Sequence, residues 1–133
     1  MIHNQDKISF QYETPKVLIQ EKELYRLWLT IHRDFPKVER LGIGQKIEQS
    51  FLGVLEFTFA SVYLVTENKI LMLSKTIAKL DNLKFFMQLA WESRLIPTEK
   101  YSGVAGKLEE IGRGLGGWKK GLQKNLIQKT PAK

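Results

Sequence analysis

Few side chains in this sequence of 133 residues could do chemistry, and most of those are basic. There is no cysteine. That removes a disulfide scaffold, a thiolate zinc site and a cysteine nucleophile, and it fits a reducing compartment. The two histidines are His3, in a polar start, and His32, in the first apolar-periodic segment. A transition-metal site would need both to converge with carboxylates, so no metal and no cofactor is expected. His32 reads as a helix-surface or interface residue. Glu48 and Glu109 have basic residues at helical spacing and read as parts of a solvated face. Asp81 and Glu92 can share one helix face, a spacing that reads as structural. No Ser/His/Asp order, phosphate loop or H-E-x-x-H is present. Gly112, Gly114 and Gly117 match G-x-G-x-x-G, but no strand precedes them and no acid follows them in the chain. The context of a dinucleotide loop is therefore missing. No residue is assigned as catalytic, and the chain is not expected to be an enzyme.

Binding is the remaining possibility, and the charge is informative through its placement. The formal net charge is +7. Six basic residues (Arg113, Lys119, Lys120, Lys124, Lys129 and Lys133) and no acid fall between Ile111 and Lys133. The other 15 basic residues stand against 14 acids, so the excess is a C-terminal feature on a nearly neutral body. Such a surface suits a solvated polyanion; a plain soluble basic tail is the alternative. Arg113, Lys120 and Lys124, seven and four apart, share a helix face. Arg33, Lys37 and Arg40 gather at the corner between the first two helices. These six and Lys119 are the candidate contacts. For Arg40 and Arg113 the alternative is a structural ion pair with Glu39 or Glu110.

The elements that must position them are helices. Thr14 is a plausible N-cap and Pro15 suits the first helical position. Leu24, Trp28, Ile31 and Phe35 then recur at helical spacing, with Leu27 beside them. Pro36 ends that helix and can open the next. Ile43, Ile47, Phe51, Leu55, Thr58, Val62 and Val65 mark the second helix. Leu52, Phe57, Phe59 and Leu64 broaden its apolar surface, which predicts a subunit interface there. The stretch Phe51–Val65 is shorter than the roughly 20 residues of a membrane span, so it reads as buried in protein. Thr66-Glu67-Asn68 reads as a break. The third helix turns Leu73, Ile77, Leu80, Met87 and Ala90 inward. Thr98 can cap the fourth, where Tyr101, Val104, Leu108, Ile111, Leu115, Trp118 and Leu122 keep an unbroken seam. Nothing alternates with period two. The expectation is one all-α domain over residues 1–133, an antiparallel up-down-up-down four-helix bundle. Its helices are expected at about 15–34, 36–66, 69–95 and 98–124, with looser termini. The N-terminal residues lack the apolar core of a signal peptide. Seven glycines in the fourth helix each cost roughly 1 kcal/mol. Either a backbone or partner approaches them closely, or the helix loosens near Gly116-Gly117.

Four motifs in order carry a family resemblance. They are Phe35-Pro36-Lys37-x-x-Arg40 followed by Gly44-x-x-Ile47; Leu80-Asp81-x-Leu83-Lys84; Leu89-Ala90-x-Glu92; and Glu110-Ile111-Gly112-Arg113-x-Leu115-Gly116-Gly117-Trp118. Together they resemble the four-helix-bundle family of the accessory variability determinant (Avd) of diversity-generating retroelements. That family is related to bundle proteins of ribosomal RNA intervening sequences. Gly114 departs from the larger apolar residue the pattern favours. The resemblance implies a basic homo-oligomer, a pentamer; the missing cysteines, the polar start and the short apolar stretch lead to the expectation of a cytoplasmic protein away from membranes. It implies binding to a reverse transcriptase and to template RNA, with DNA as a further ligand, in support of mutagenic cDNA synthesis. The basic residues above are then expected to contact RNA or reverse transcriptase. The rival expectations are a general nucleic-acid- or ribosome-associated bundle without a reverse transcriptase, a purely structural oligomer, and an enzyme.

Overall fold

The computed structural model describes residues 14–129; His3 and the rest of the polar start lie outside them. Among the described residues there are four long helices, one short one and no strand. They are α1 (Lys16–Arg33), α2 (Lys37–Leu41), α3 (Ile43–Ser61), α4 (Thr66–Glu92) and α5 (Thr98–Lys129). Each long helix lends one stripe to a single core. Leu24, Trp28 and Ile31 come from α1, Ile47, Phe51 and Val54 from α3, Leu73, Leu80, Leu83 and Met87 from α4, and Val104, Leu108, Ile111 and Leu115 from α5. Lys46 of α3 lies over the ring of Phe86 on α4, and the Lys79 side chain of α4 covers Gly53 of α3.

Several boundaries differ from the sequence expectation, each for a local reason. Thr14 does not cap α1; Pro15 occupies that position, and its carbonyl accepts from the N–H groups of Leu18 and Ile19. The expected second helix is two pieces, because Gly42 (φ −102°, ψ −106°) turns the chain between α2 and α3. It also ends early. The N–H groups of Val62, Tyr63 and Leu64 bond three residues back and tighten α3 into a turn. Val65, expected inward, is 68% exposed. Thr66-Glu67-Asn68, expected as the break, instead form the first turn of α4, with Glu67 at its positive end. Apolar period alone could not separate a turn built of valines from a helix.

The exit from α4 is a Schellman motif. Leu95 N–H bonds the carbonyl of Ala90 and Arg94 N–H that of Trp91. Arg94 takes the left-handed position, φ 64°, usually filled by glycine. Thr98 is the first residue of α5, and its hydroxyl accepts from Trp91 Nε1 (3.0 Å). α5 runs unbroken through Gly112–Gly117 and past Asn125 to Lys129, with no glycine at positive φ among the described residues. The helix therefore does not loosen at its glycines.

Candidate nucleic-acid interface

The corner of α1, α2 and α3 carries the first basic group, and it is built tightly. His32 stacks on Trp28 (4.7 Å between ring centres) and meets Phe35 edge-on (5.5 Å). Its Nε2 lies 3.4 Å from the carbonyl oxygen of Arg40. A Cβ on Gly44 would overlap His32 Nε2 and stand 3.0 Å from the Glu39 carbonyl, so only glycine fits there. Glu48, read from sequence as a solvated carboxylate, is half-buried. It accepts hydrogen bonds from Tyr25 Oη and Trp28 Nε1 (2.8 Å). Burial, then Glu48, pushes the Tyr25 phenol up to about 12. His32 is likewise a packed corner residue. Arg33, Lys37 and Arg40 project exposed from this frame, and none forms an ion pair among the described residues.

The second basic group lies where α5 passes the start of α1. Arg113, Lys120 and Lys124 are exposed and Lys119 is half-buried, again with no ion pair among the described residues. Glu110 thus leaves Arg113 unpaired, and Glu39 leaves Arg40 unpaired. Glu109 instead bridges to Lys84 of α4 (3.2 Å). Trp118, expected in the core, is only partly buried and packs at its edge. It lines a groove of about 800 Å³ with Lys16, Val17, Glu110, Arg113 and Gly114.

The two groups do not form one patch. Asp34, just past α1, faces Lys100 at the start of α5 (3.9 Å), whereas Arg113 faces the first turn of α1. Arg33 and Lys16 stand seventeen residues apart on α1, about 26 Å at the helical rise.

One titratable residue escaped the sequence reading. Glu21 is fully buried on the core stripe of α1. Thr58 Oγ1 donates to its Oε2 (2.8 Å), and its Oε1 has no partner. Burial pushes its carboxyl up to about 8, against the opposing pull of the Thr58 hydrogen bond. The signal was available: Val17, Glu21, Leu24, Trp28 and Ile31 keep the four-three rhythm upstream of Leu24. Among the described residues no cluster of histidines and carboxylates could hold a metal, and no helix is long and apolar enough to cross a membrane.

The described residues define a small all-helical bundle whose candidate basic contacts fall in two separate groups, one at the corner and one on α5. A family profile described as bAvd-like matches residues 17–122, and the chain belongs to that bAvd-like family. The match begins at Val17 of α1 and ends at Leu122 of α5, so it takes in the corner and the glycine-rich helix. No curated protein matches the chain.

Proposed function

We propose that this protein is a non-enzymatic accessory factor of a diversity-generating retroelement. It binds the reverse transcriptase and template RNA and supports mutagenic cDNA synthesis in the cytoplasm. The observation that carries this reading is the family match over residues 17–122. The unpaired Arg113, Lys119, Lys120 and Lys124 on α5 support it, because phosphate neutralised by such cations releases counterions. The corner cations Arg33, Lys37 and Arg40 serve as a second contact, for reverse transcriptase or for RNA. The helices alternate up and down: position 46 of α3 meets 86 of α4, position 53 meets 79, and the start of α1 lies beside the later part of α5. The chain assembles with copies of itself, as a pentamer, through the apolar side chains left outside the bundle. Leu52 and Phe59 on α3, and Leu71 and Phe85 on α4, are of this kind.

The test is to co-express the chain with its neighbouring reverse transcriptase and transcript and to isolate the assembly. Lys120→Glu with Lys124→Glu should leave a folded oligomer. RNA binding should weaken, and the dependence of log K on log salt should become shallower by about 1.4, roughly 0.7 for each lost single-strand phosphate contact. Unchanged RNA affinity at low salt removes α5 from the interface. An assembly indifferent to RNA, DNA and reverse transcriptase overturns the function.

A further inference from the structure

Trp118 is placed unlike the other two tryptophans. Trp28 is 1% exposed in the core. Trp91 lies stacked against Tyr101, ring centres 4.7 Å apart, and donates to Thr98. Trp118 is partly open and forms a wall of the groove between α1 and α5. On a helix, side chains three and four positions away cover a ring. On one side of Trp118 those positions are Leu115 and Leu122, which pack with the core. On the other side they are Gly114 and Gly121, so no side chain of α5 covers the indole there. A Cβ on Gly121 would meet nothing within 4 Å, and one on Gly114 would touch only Val17, at 3.4 Å. Helix stability alone would favour alanine at both places. Cations lie near: Arg113 and Lys16 line the same groove, and Lys69 Nζ of α4 stands over the ring, 6.0 Å from its centre. Glu110 is the acid among the lining residues.

We infer that this groove takes a nucleotide of a single-stranded RNA, with its base stacked on the bare face of Trp118 and its phosphate held by Arg113 and Lys16. Sequence-tolerant stacking on an aromatic ring, flanked by cations along a groove, is how single strands are held without base-specific contacts. The groove's size falls in the range of small-ligand sites and admits one nucleotide. A duplex, whose bases are stacked internally, offers no free base face and does not fit. The inference rests on the nucleic-acid reading above and adds a base-dependent contribution to it.

The experiment measures binding of the full chain, in dilute buffer, to two labelled strands of equal length and charge: decaadenylate RNA and its abasic ribose-phosphate counterpart. Tryptophan emission is followed in parallel. Trp28 is buried, and the part of the quenching that Trp118→Leu abolishes reports on Trp118. Wild type should bind the adenylate strand about tenfold more tightly than the abasic one, within the range of stacking one base, and only the adenylate should quench. Gly114→Leu fills the groove at an exposed helical position and leaves Trp118 in place. Trp118→Leu keeps an apolar side chain but removes the ring. Both should lose the tenfold preference, and Trp118→Leu, which leaves Arg113 and Lys16 accessible, should still bind the abasic strand. Equal binding of the two strands by wild type, or a preference that survives Gly114→Leu, overturns the groove while leaving the basic surface intact. Binding of neither strand overturns both readings. A change of particle size in Gly114→Leu overturns the inference in favour of a seam between copies.

Discussion

Glu21→Gln should remove a pH dependence that the fold imposes on itself. The Glu21 carboxyl lies wholly inside, takes one hydrogen bond from Thr58 and leaves Oε1 unmatched. In the unfolded chain it releases its proton near 4.5; in the folded chain burial holds that proton until about 8. Below pH 4.5 both states carry it, and Glu21 makes no difference. Between the two values only the folded state carries it, so stability falls as pH rises. The slope is roughly 1.4 kcal/mol per pH unit, which over the interval to about 8 amounts to roughly 5 kcal/mol. Above pH 8 the loss is complete. A small domain has roughly 5–15 kcal/mol in total, so the effect is a large share. The assay is urea unfolding of wild type and Glu21→Gln at pH 5, 6.5 and 8, at one protein concentration because assembly stabilises by mass action. The stability difference should grow by several kcal/mol in favour of the variant from pH 5 to pH 8. Thr58→Val removes the hydrogen bond that opposes the shift, so it should move the window upward. Parallel pH profiles for wild type and Glu21→Gln would refute the reasoning, because Glu21 would then titrate alike in both states.

Three further outcomes follow from the packing. Gly44→Ala places a Cβ against His32 and the Glu39 carbonyl, and should lower stability by about 1–3 kcal/mol in a denaturant titration. Trp28→Ala should cost about 3–5 kcal/mol, whereas Trp118→Ala, at the core's edge, should cost about half as much in the same titration. Gly116→Ala with Gly117→Ala should raise the melting temperature, since neither new Cβ meets anything within 4 Å and each replacement gains about 0.5–1 kcal/mol of helix stability. If reverse transcriptase or RNA binding then falls, the bare backbone is there for a partner; if binding holds, the glycines have no such role.

Much of the helical architecture was legible because burial repeats with the helical period. Leu24, Trp28 and Ile31, then Val104, Leu108, Ile111 and Leu115, were marked by spacing alone, and all are buried. The seam was read too far at its C-terminal end, where Trp118 and Leu122 are only partly buried. Period has no view of what lies opposite, and α5 there runs along the core's edge. Leu83 was missed for the reverse reason: it is buried, but the stripe was traced through Ile77, which is half-open. Glu21 was missed because a carboxylate is not counted when an apolar rhythm is traced, although its position fits that rhythm. Glu48 and His32 show the same limit. Sequence gives their spacing to nearby charges, but the indole and phenol of α1 and the glycine of α3 that bury them meet only in the fold.

The two basic groups sit on unlike foundations, and this determines what each can show. The corner is overdetermined. Trp28, His32, Phe35, Gly44 and Glu48 interlock there, and the Arg40 carbonyl is itself a partner of His32. A change to Arg40 can disturb the frame through the backbone even though its guanidinium is unpaired, so lost binding at the corner has two explanations. On α5 the cations stand on a helix whose outer face meets open space at Gly116, Gly117 and Gly121. Lys120 and Lys124 are exposed and form no ion pair among the described residues, so charge reversal there breaks no salt bridge. Exposed glycines weaken the helix without improving any contact within the chain. Under the proposed function a partner at this surface would account for that loss, and α5 is therefore the element on which the nucleic-acid reading should be tried first.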